Sequence, residues 1–302
     1  MYDIIIIGGG PAGLTAALYA CRANKSVLVI DKGSFGGQIT YSPKVENIPG
    51  FAEISGNEFA EKLVEQVLGQ NAEIECAEVT GIRDGDVKTV LTDSGEFEAK
   101  AVILATGAKH RLLGIENEDR FIGEGVSFCA VCDGAFYEGR TVAVIGGGNS
   151  ALQEAILLSD LASKVYVVQN LDRFTGEEKL AHKLTQKENV EILLGHTAKR
   201  LLGDETLSGL EIESVASGEG RILSVDGVFV AIGLIPQNEP FAGTVDLDGR
   251  GYIPSGEDCL TDKPGIFVAG DCRSKSIRQV TTAMADGAVA ALAACDYLED
   301  KK

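Results

Sequence analysis

The 302-residue sequence predicts an α/β fold, and three observations carry the prediction. A β-branched apolar run ends in a glycine-rich turn that opens a helix, IIIIGGGPAGLTAALYA from Ile4. The same pattern returns as VAVIGGGNSALQEAILL from Val142. A pair of later strands, AVILATGA from Ala101 and GVFVAIGL from Gly227, echoes behind each copy. Two copies of one nucleotide-binding unit explain all three. The expected architecture is two Rossmann-like, three-layer dinucleotide-binding domains, the second inserted into the first.

The elements follow in order. Ile4 to Ile7 reads as a parallel strand buried on both faces, because it is apolar without alternation. The uncharged run from Ile4 to Cys21 has the length of a membrane span, but GGGPAG in its middle breaks any such helix. No basic segment precedes it, so no secretory leader and no membrane contact are expected. A helix follows with an apolar face of Leu14, Ala17, Leu18 and Cys21. A second strand, Val27 to Ile30, ends in Asp31. Turn signals at Arg83 to Asp86 and Asp93 to Gly95, and again near Gly203-Asp204 and Ser217-Gly218, mark short antiparallel strands in each copy. A last strand, Ile266 to Ala269, runs through Gly270-Asp271 into a helix from about Arg278. Having no glycine-rich start of its own, this tail completes the first domain. The expected spans are 1–113 and 240–302 for the first domain and 114–239 for the inserted one.

Charge and cysteine content narrow the function. With 27 basic and 45 acidic residues the net charge is −18, which repels nucleic acid and anionic membranes alike. Seven cysteines cannot all pair, and a reducing, cytoplasmic setting fits better than a disulfide scaffold.

Gly8-x-Gly10-x-x-Gly13 meets a specific physical demand. One glycine makes the turn, the next lets the backbone approach a pyrophosphate, and the third lets helix and strand pack closely. Asp31, at the end of the second strand, stands where a carboxylate binds a ribose hydroxyl. Gly146-x-Gly148-x-x-Ala151 repeats the signature with a permitted alanine. Its second strand ends in Gln169-Asn170-Leu171, however, with neither a carboxylate for a ribose nor an arginine pair for a 2′-phosphate. That motif supports the fold more strongly than a bound nicotinamide.

Cys129-Ala130-Val131-Cys132-Asp133 holds the one CxxC of the chain. Structural zinc needs a second ligand pair, and His110, His182 and His196 do not supply its spacing, so no metal is expected. A two-residue spacer lets two thiols close a reversible disulfide, as a redox dithiol requires. Asp133 reads either as the acid/base of exchange or as a turn carboxylate. Cys21, Cys76, Cys259, Cys272 and Cys295 read as buried bystanders.

These residues resemble the low-molecular-weight thioredoxin reductases, which are flavoprotein disulfide reductases, over essentially the whole chain. The resemblance rests on GGGPAG at Gly8, GGQ at Gly36, VENIPG at Val45, ATGA at Ala105 and GVSFCAVCDG at Gly125. GGGNSA at Gly146, GD at Gly270 and RQVTTA at Arg278 complete it. It implies FAD in the first domain, held by Gly8, Gly10, Pro11, Ala12, Gly13 and Asp31, with Gly37, Gln38, Asn47 and Gly107 beside it. Asp271, Arg278, Gln279 and Ala283 would close the same site. It implies Cys132 meeting the flavin, Cys129 attacking the disulfide of a thioredoxin-like protein, and Asp133 as acid/base. A homodimer is implied as well.

One departure bears on the electron donor. Members that use NADPH carry His-Arg-Arg-x-x-x-Arg after the second strand of the inserted domain. Here Gln169, Asn170, Leu171 and Thr175 stand in those places. Losing several charge-assisted contacts of ~1.5–3 kcal/mol each lowers affinity by orders of magnitude. NAD(P)H is therefore not expected as a tight ligand, and the pattern is similar to the branch fed by reduced ferredoxin. Docking an acidic ferredoxin on a chain of −18 needs a local basic patch. Two candidates are Lys109-His110-Arg111 and a helix face of Lys179, His182, Lys183 and Lys187. An NADPH- or NADH-dependent reductase is the alternative within the family. A non-catalytic redox-sensing or docking flavoprotein is the alternative outside it.

Overall fold

β-Branched residues crowd in a helix and pack well on a pleated surface. The first run of them forms β1 (Tyr2–Ile7) in the computed structural model, which describes residues 1–33 and 35–301. Ile4 and Ile6 enter one hydrophobic core and Ile5 and Ile7 another, as the two-residue period of a strand dictates. The chain turns through Gly8 to Gly10 into α1 (Pro11–Arg22), so the long uncharged run is strand, turn and helix. Pro11 opens α1, where its missing donor costs nothing. β2 (Val27–Asp31) lies parallel to β1. α2 (Gly56–Leu68) begins at Ser55, whose hydroxyl accepts the Glu58 N–H. β3 (Glu73–Cys76), β4 (Val79–Arg83), β5 (Lys88–Thr92) and β6 (Glu96–Leu104) follow. The strand order is β3-β2-β1-β6-β5-β4. β6 serves two partners: its start pairs antiparallel with β5, and its end lies parallel to β1 and to a later strand.

The inserted unit repeats this plan. After β7 (Ala108–His110) come α3 (Glu118–Phe121), β8 (Val126–Ser127) and α4 (Ala130–Asp133). Then β9 (Thr141–Ile145), α5 (Asn149–Ser159), β10 (Lys164–Gln169), α6 (Glu178–Thr185) and β11 (Val190–Leu194) build its Rossmann half. β12 (His196–Gly203), β13 (Leu207–Ser214) and β14 (Gly220–Ser224) form an antiparallel sheet. β15 (Gly227–Val230) returns beside β9, giving a parallel sheet of order β11-β10-β9-β15-β8. Val142 and Val144 pack with the α5 side, Ala143 and Ile145 with the residues of the antiparallel sheet.

β16 (Leu234–Pro236) leads the chain back, β17 (Ile266–Val268) joins the end of β6, and α7 (Val280–Asp300) finishes the fold. α7 packs closely on α1 because its contact residues are small. A Cβ on Gly287 would lie 2.1 Å from the Ala12 carbonyl oxygen. The two compact units are Met1–Lys109 with Ile235–Lys302, and His110–Leu234. Among the described residues no helix is long and apolar enough to cross a membrane.

Two sequence expectations shift. α6 ends at Thr185, so Lys187 lies beyond the expected basic helix face, and its ammonium pairs with Asp160. Cys76 is exposed, because it ends β3 at the edge of the sheet; the other four bystanders are buried or half-buried, and all five are free thiols.

Candidate active site

In the first unit, two glycines of the turn are demanded by the protein itself. Gly8 has φ of +112°, and a Cβ there would sit 2.2 Å from the Ala105 carbonyl oxygen. A Cβ on Gly13 would sit 1.9 Å from the Gly8 carbonyl oxygen. Gly10 is different. Its backbone is ordinary extended chain, and the nearest atom to an added Cβ is Gly37 Cα at 3.9 Å. The space a side chain would fill at Gly10 lies open, beside the uncapped N-terminus of α1. Such an N-terminus presents free N–H groups and the positive end of the helix to an anion.

The other candidate residues of this unit have defined positions. Asp31 accepts the Gly9 N–H at 2.6 Å and the Gly33 N–H at 2.9 Å. Gln38 donates to the Ala108 carbonyl at 2.7 Å, and Gly107, at φ +68°, has open space where a side chain would be. Asn47 donates to Gln279 Oε1 at 3.3 Å. Gln279 caps α7, and Arg278 lies over the Tyr252 ring at 4.4 Å while reaching the Asp271 carbonyl oxygen. Gly270 closes on Ala12 and Ala283; its Cβ would be 2.8 Å from the Ala12 methyl. Asp271 Oδ1 is buried with no hydrogen-bond partner among the described residues, and burial pushes its carboxyl above the usual range. A buried acceptor without a donor is costly unless a ligand supplies one. An open glycine, a free helix N-terminus and an unpartnered carboxylate oxygen in one unit fit the pyrophosphate and hydroxyls of FAD.

In the inserted unit Cys129 and Cys132 are joined by a disulfide, their Cα atoms 5.3 Å apart. Cys129 is the N-cap of α4, and its Sγ accepts the Cys132 N–H at 3.2 Å. Val131 between them is exposed. Asp133 ends α4 and accepts the Ser127 hydroxyl at 2.6 Å, while Ser127 Oγ accepts the Cys129 N–H at 3.1 Å. Burial pushes the Asp133 carboxyl up, and the Ser127 bond partly opposes this. Glu154 of α5 accepts the Ala130 N–H; burial pushes it up to about 7, and its Oε2 has no partner among the described residues. Sequence reasoning missed Ser127 and Glu154. Ser127 gives no sequence signal, whereas a glutamate at helical spacing from the apolar Ala151 and Leu158 was a legible one.

The sequence model for the pyridine nucleotide-disulphide oxidoreductases matches residues 2–287. A thioredoxin reductase of Listeria monocytogenes is 41% identical over 304 residues, covering 100% of this chain and 95% of the relative. One from Bacillus subtilis is 40% identical over 302 residues, covering 99% of this chain and 96% of the relative. The crystal structure of thioredoxin reductase from Streptococcus pyogenes superposes with a TM-score of 0.95 at 41% identity, covering 99% of both chains.

The chain belongs to the thioredoxin reductase family.

Within that family of flavoprotein disulfide oxidoreductases, the second glycine-rich turn of this chain stands out. Gly146 has φ of +135° with its Cβ position 2.5 Å from the Ala231 carbonyl oxygen, and Gly148 is as open as Gly10. The turn geometry is therefore kept. The segment beyond β10 departs from it. Where Asp31 takes the Gly9 N–H, the buried Gln169 side chain lies against Gly147 and donates to the Arg173 carbonyl at 3.4 Å. Asn170, Leu171 and Thr175 are exposed and carry no charge. Arg173 is exposed and pairs with Asp172.

The basic patches are weaker than their sequence suggests. His110 stacks on Phe128 at 4.6 Å, and burial lowers its pKa to about 4, so it is neutral at pH 7. Lys109 and Arg111 remain exposed beside it. On α6 only Lys179, His182 and Lys183 share the expected run.

Proposed function

We propose that this member of the thioredoxin reductase family is an FAD enzyme that reduces the disulfide of a thioredoxin-like protein and takes its electrons from reduced ferredoxin. The observation that carries the donor assignment is the segment after β10. Gln169 is turned inward onto Gly147, Asn170, Leu171 and Thr175 carry no charge for a 2′-phosphate, and Arg173 beside them pairs with Asp172. The proposed enzyme works in the cytoplasm as a homodimer.

FAD, bound on Gly8, Gly10, Pro11, Ala12 and Gly13, supplies the two-electron reducing power. Asp31 orients the turn and a ribose hydroxyl, and Asp271 accepts a hydrogen bond from a hydroxyl with its unpartnered oxygen. Gly37, Gln38, Asn47, Gly107, Arg278, Gln279 and Ala283 line the remainder. Two electrons and two protons open the Cys129–Cys132 bond to a dithiol. The Cys129 thiolate attacks the partner's disulfide and forms a mixed disulfide, with one partner sulfur leaving as a thiolate. Cys132 then attacks Cys129, restoring the intramolecular bond and releasing the partner as a dithiol. Asp133, whose carboxyl burial pushes above the usual range, gives and takes the protons.

A second reading, a reductase fed by NADPH or NADH, is favoured by the open Gly148. Anaerobic bleaching of the flavin by reduced ferredoxin, NADPH and NADH in parallel decides between them. Fast bleaching by ferredoxin alone is expected. Fast bleaching by micromolar NADPH overturns the donor assignment.

A further inference from the structure

Asp286 of α7 holds a buried charge cluster with no role in the proposed disulfide chemistry. Its carboxylate takes Arg273 as a bidentate partner, Nε at 2.9 Å on one oxygen and Nη2 at 2.8 Å on the other. Lys275 Nζ donates to the same carboxylate at 2.8 Å. The side chains of Lys275 and Asp286 are 7% and 9% exposed. One acidic group thus faces two cations inside the protein, an arrangement that costs desolvation and is retained only with full hydrogen bonding. As a device for stability alone it is a poor one, since apolar packing of the same volume does as well or better.

Its connections point elsewhere. Asp286 Oδ2 also accepts the Gly270 N–H at 3.1 Å, at the start of the turn that carries Asp271. Lys275 donates onward to Thr282 Oγ1 at 3.2 Å. Thr282 Oγ1 accepts the Gln279 N–H at 3.2 Å and completes the capping box of α7. Gln279 in turn accepts from Asn47. A continuous polar chain therefore runs from Gly270, next to Asp271, through Asp286, Lys275 and Thr282, to Gln279 and Asn47. Its two ends are flavin-lining positions on segments that make no backbone ladder with each other. Gly270 holds φ +80°, and a Cβ there would lie 2.8 Å from the Ala12 methyl, so the turn that carries Asp271 is built for glycine.

We infer that Asp286 and Lys275 are positioning residues for FAD, fixing the Asp271 turn and the Gln279 cap at the spacing the cofactor needs. The inference rests on the flavoenzyme reading and adds residues to it that touch no part of the cofactor. The test uses purified protein loaded with FAD, then stripped and titrated with FAD, following flavin fluorescence and the visible spectrum. Asp286→Asn strands two buried cations; Lys275→Gln removes the Lys275 contacts to Asp286 and Thr282 and leaves the Arg273–Asp286 pair intact. Both variants are expected to raise the FAD dissociation constant about tenfold or more, the effect of one charge-assisted contact. The stripped Lys275→Gln chain is expected to melt as the wild type does, which separates cofactor positioning from general stability. If Asp286→Asn does not fold, Lys275→Gln decides. A Lys275→Gln protein, or a folded Asp286→Asn protein, that binds FAD with the wild-type constant overturns the inference and leaves the flavoenzyme reading standing. Wild-type protein that binds no FAD overturns both.

Discussion

The Ser127 hydroxyl donates to Asp133 Oδ2 at 2.6 Å, and the same oxygen of Ser127 receives the Cys129 N–H at 3.1 Å. One side chain thus ties the acidic group to the backbone of a redox cysteine. Because this bond favours the charged carboxylate, Ser127→Ala is expected to raise the Asp133 pKa further. Asp133 then stays protonated to higher pH, and the limb of the exchange rate that needs its carboxylate moves up by the same amount. A stopped-flow pH profile of disulfide exchange checks this. An unshifted profile removes Asp133 from the proton path.

The glycine turn separates protein demands from cofactor demands. Gly13→Ala drives a methyl into the Gly8 carbonyl and is expected to cost about 1–3 kcal/mol of stability, or to prevent folding. Gly10→Ala meets no protein atom closer than 3.9 Å. It is expected to fold normally and yet lose FAD, read as flavin content after desalting. Gly10→Ala protein with full flavin would show that the open space beside Gly10 is not the cradle.

Glu154 gives stability a pH dependence of known sign. Its folded pKa is pushed up to about 7 by burial, above the ordinary glutamate value of 4.5. Between those values the unfolded chain releases the proton while the folded chain holds it, so this group's contribution falls as pH rises through the window. Glu154→Gln is expected to be more stable than wild type at pH 8, by up to about 3 kcal/mol, and to gain little at pH 4. Urea unfolding at the two pH values measures the difference. An equal effect at both would mean that Glu154 titrates normally.

Restoring cations after β10 tests the donor assignment from the other side. Asn170, Leu171 and Thr175 are exposed, so arginine at each costs little packing. The triple variant Asn170→Arg, Leu171→Arg, Thr175→Arg is expected to gain NADPH-driven flavin bleaching, about tenfold in affinity for each arginine that engages the phosphate. No gain would place the obstacle in Gln169, whose side chain lies against Gly147.

The fold and much of the site were legible because backbone geometry imposes them. Gly8, Gly13 and Gly146 have no room for a side chain, and the two-residue spacer lets Cys129 and Cys132 close their bond within one turn, so each leaves a mark in the sequence. The cluster of Asp286, Arg273 and Lys275 left none. Its members are ordinary charges on a loop and a small-residue helix, brought together where the loop after β17 folds back against α7. His110 reads as a basic residue between Lys109 and Arg111, but its burial, stacked on Phe128, lowers its pKa to about 4 and keeps it uncharged. Lys187 reads as the next step of a helix face, but the helix has already ended at Thr185. Burial and partnering, not residue type, decide these cases.

Counting turnovers tests whether the Cys129–Cys132 pair carries electrons to a protein disulfide. The FAD-loaded protein is held reduced by a chemical or photochemical donor under anaerobic conditions and given an excess of oxidised thioredoxin. Free thioredoxin dithiol is then titrated against enzyme. Many dithiols per enzyme, abolished by Cys132→Ser, is the expected result. A single equivalent that does not repeat, or undiminished turnover in Cys132→Ser, contradicts a catalytic role for the pair.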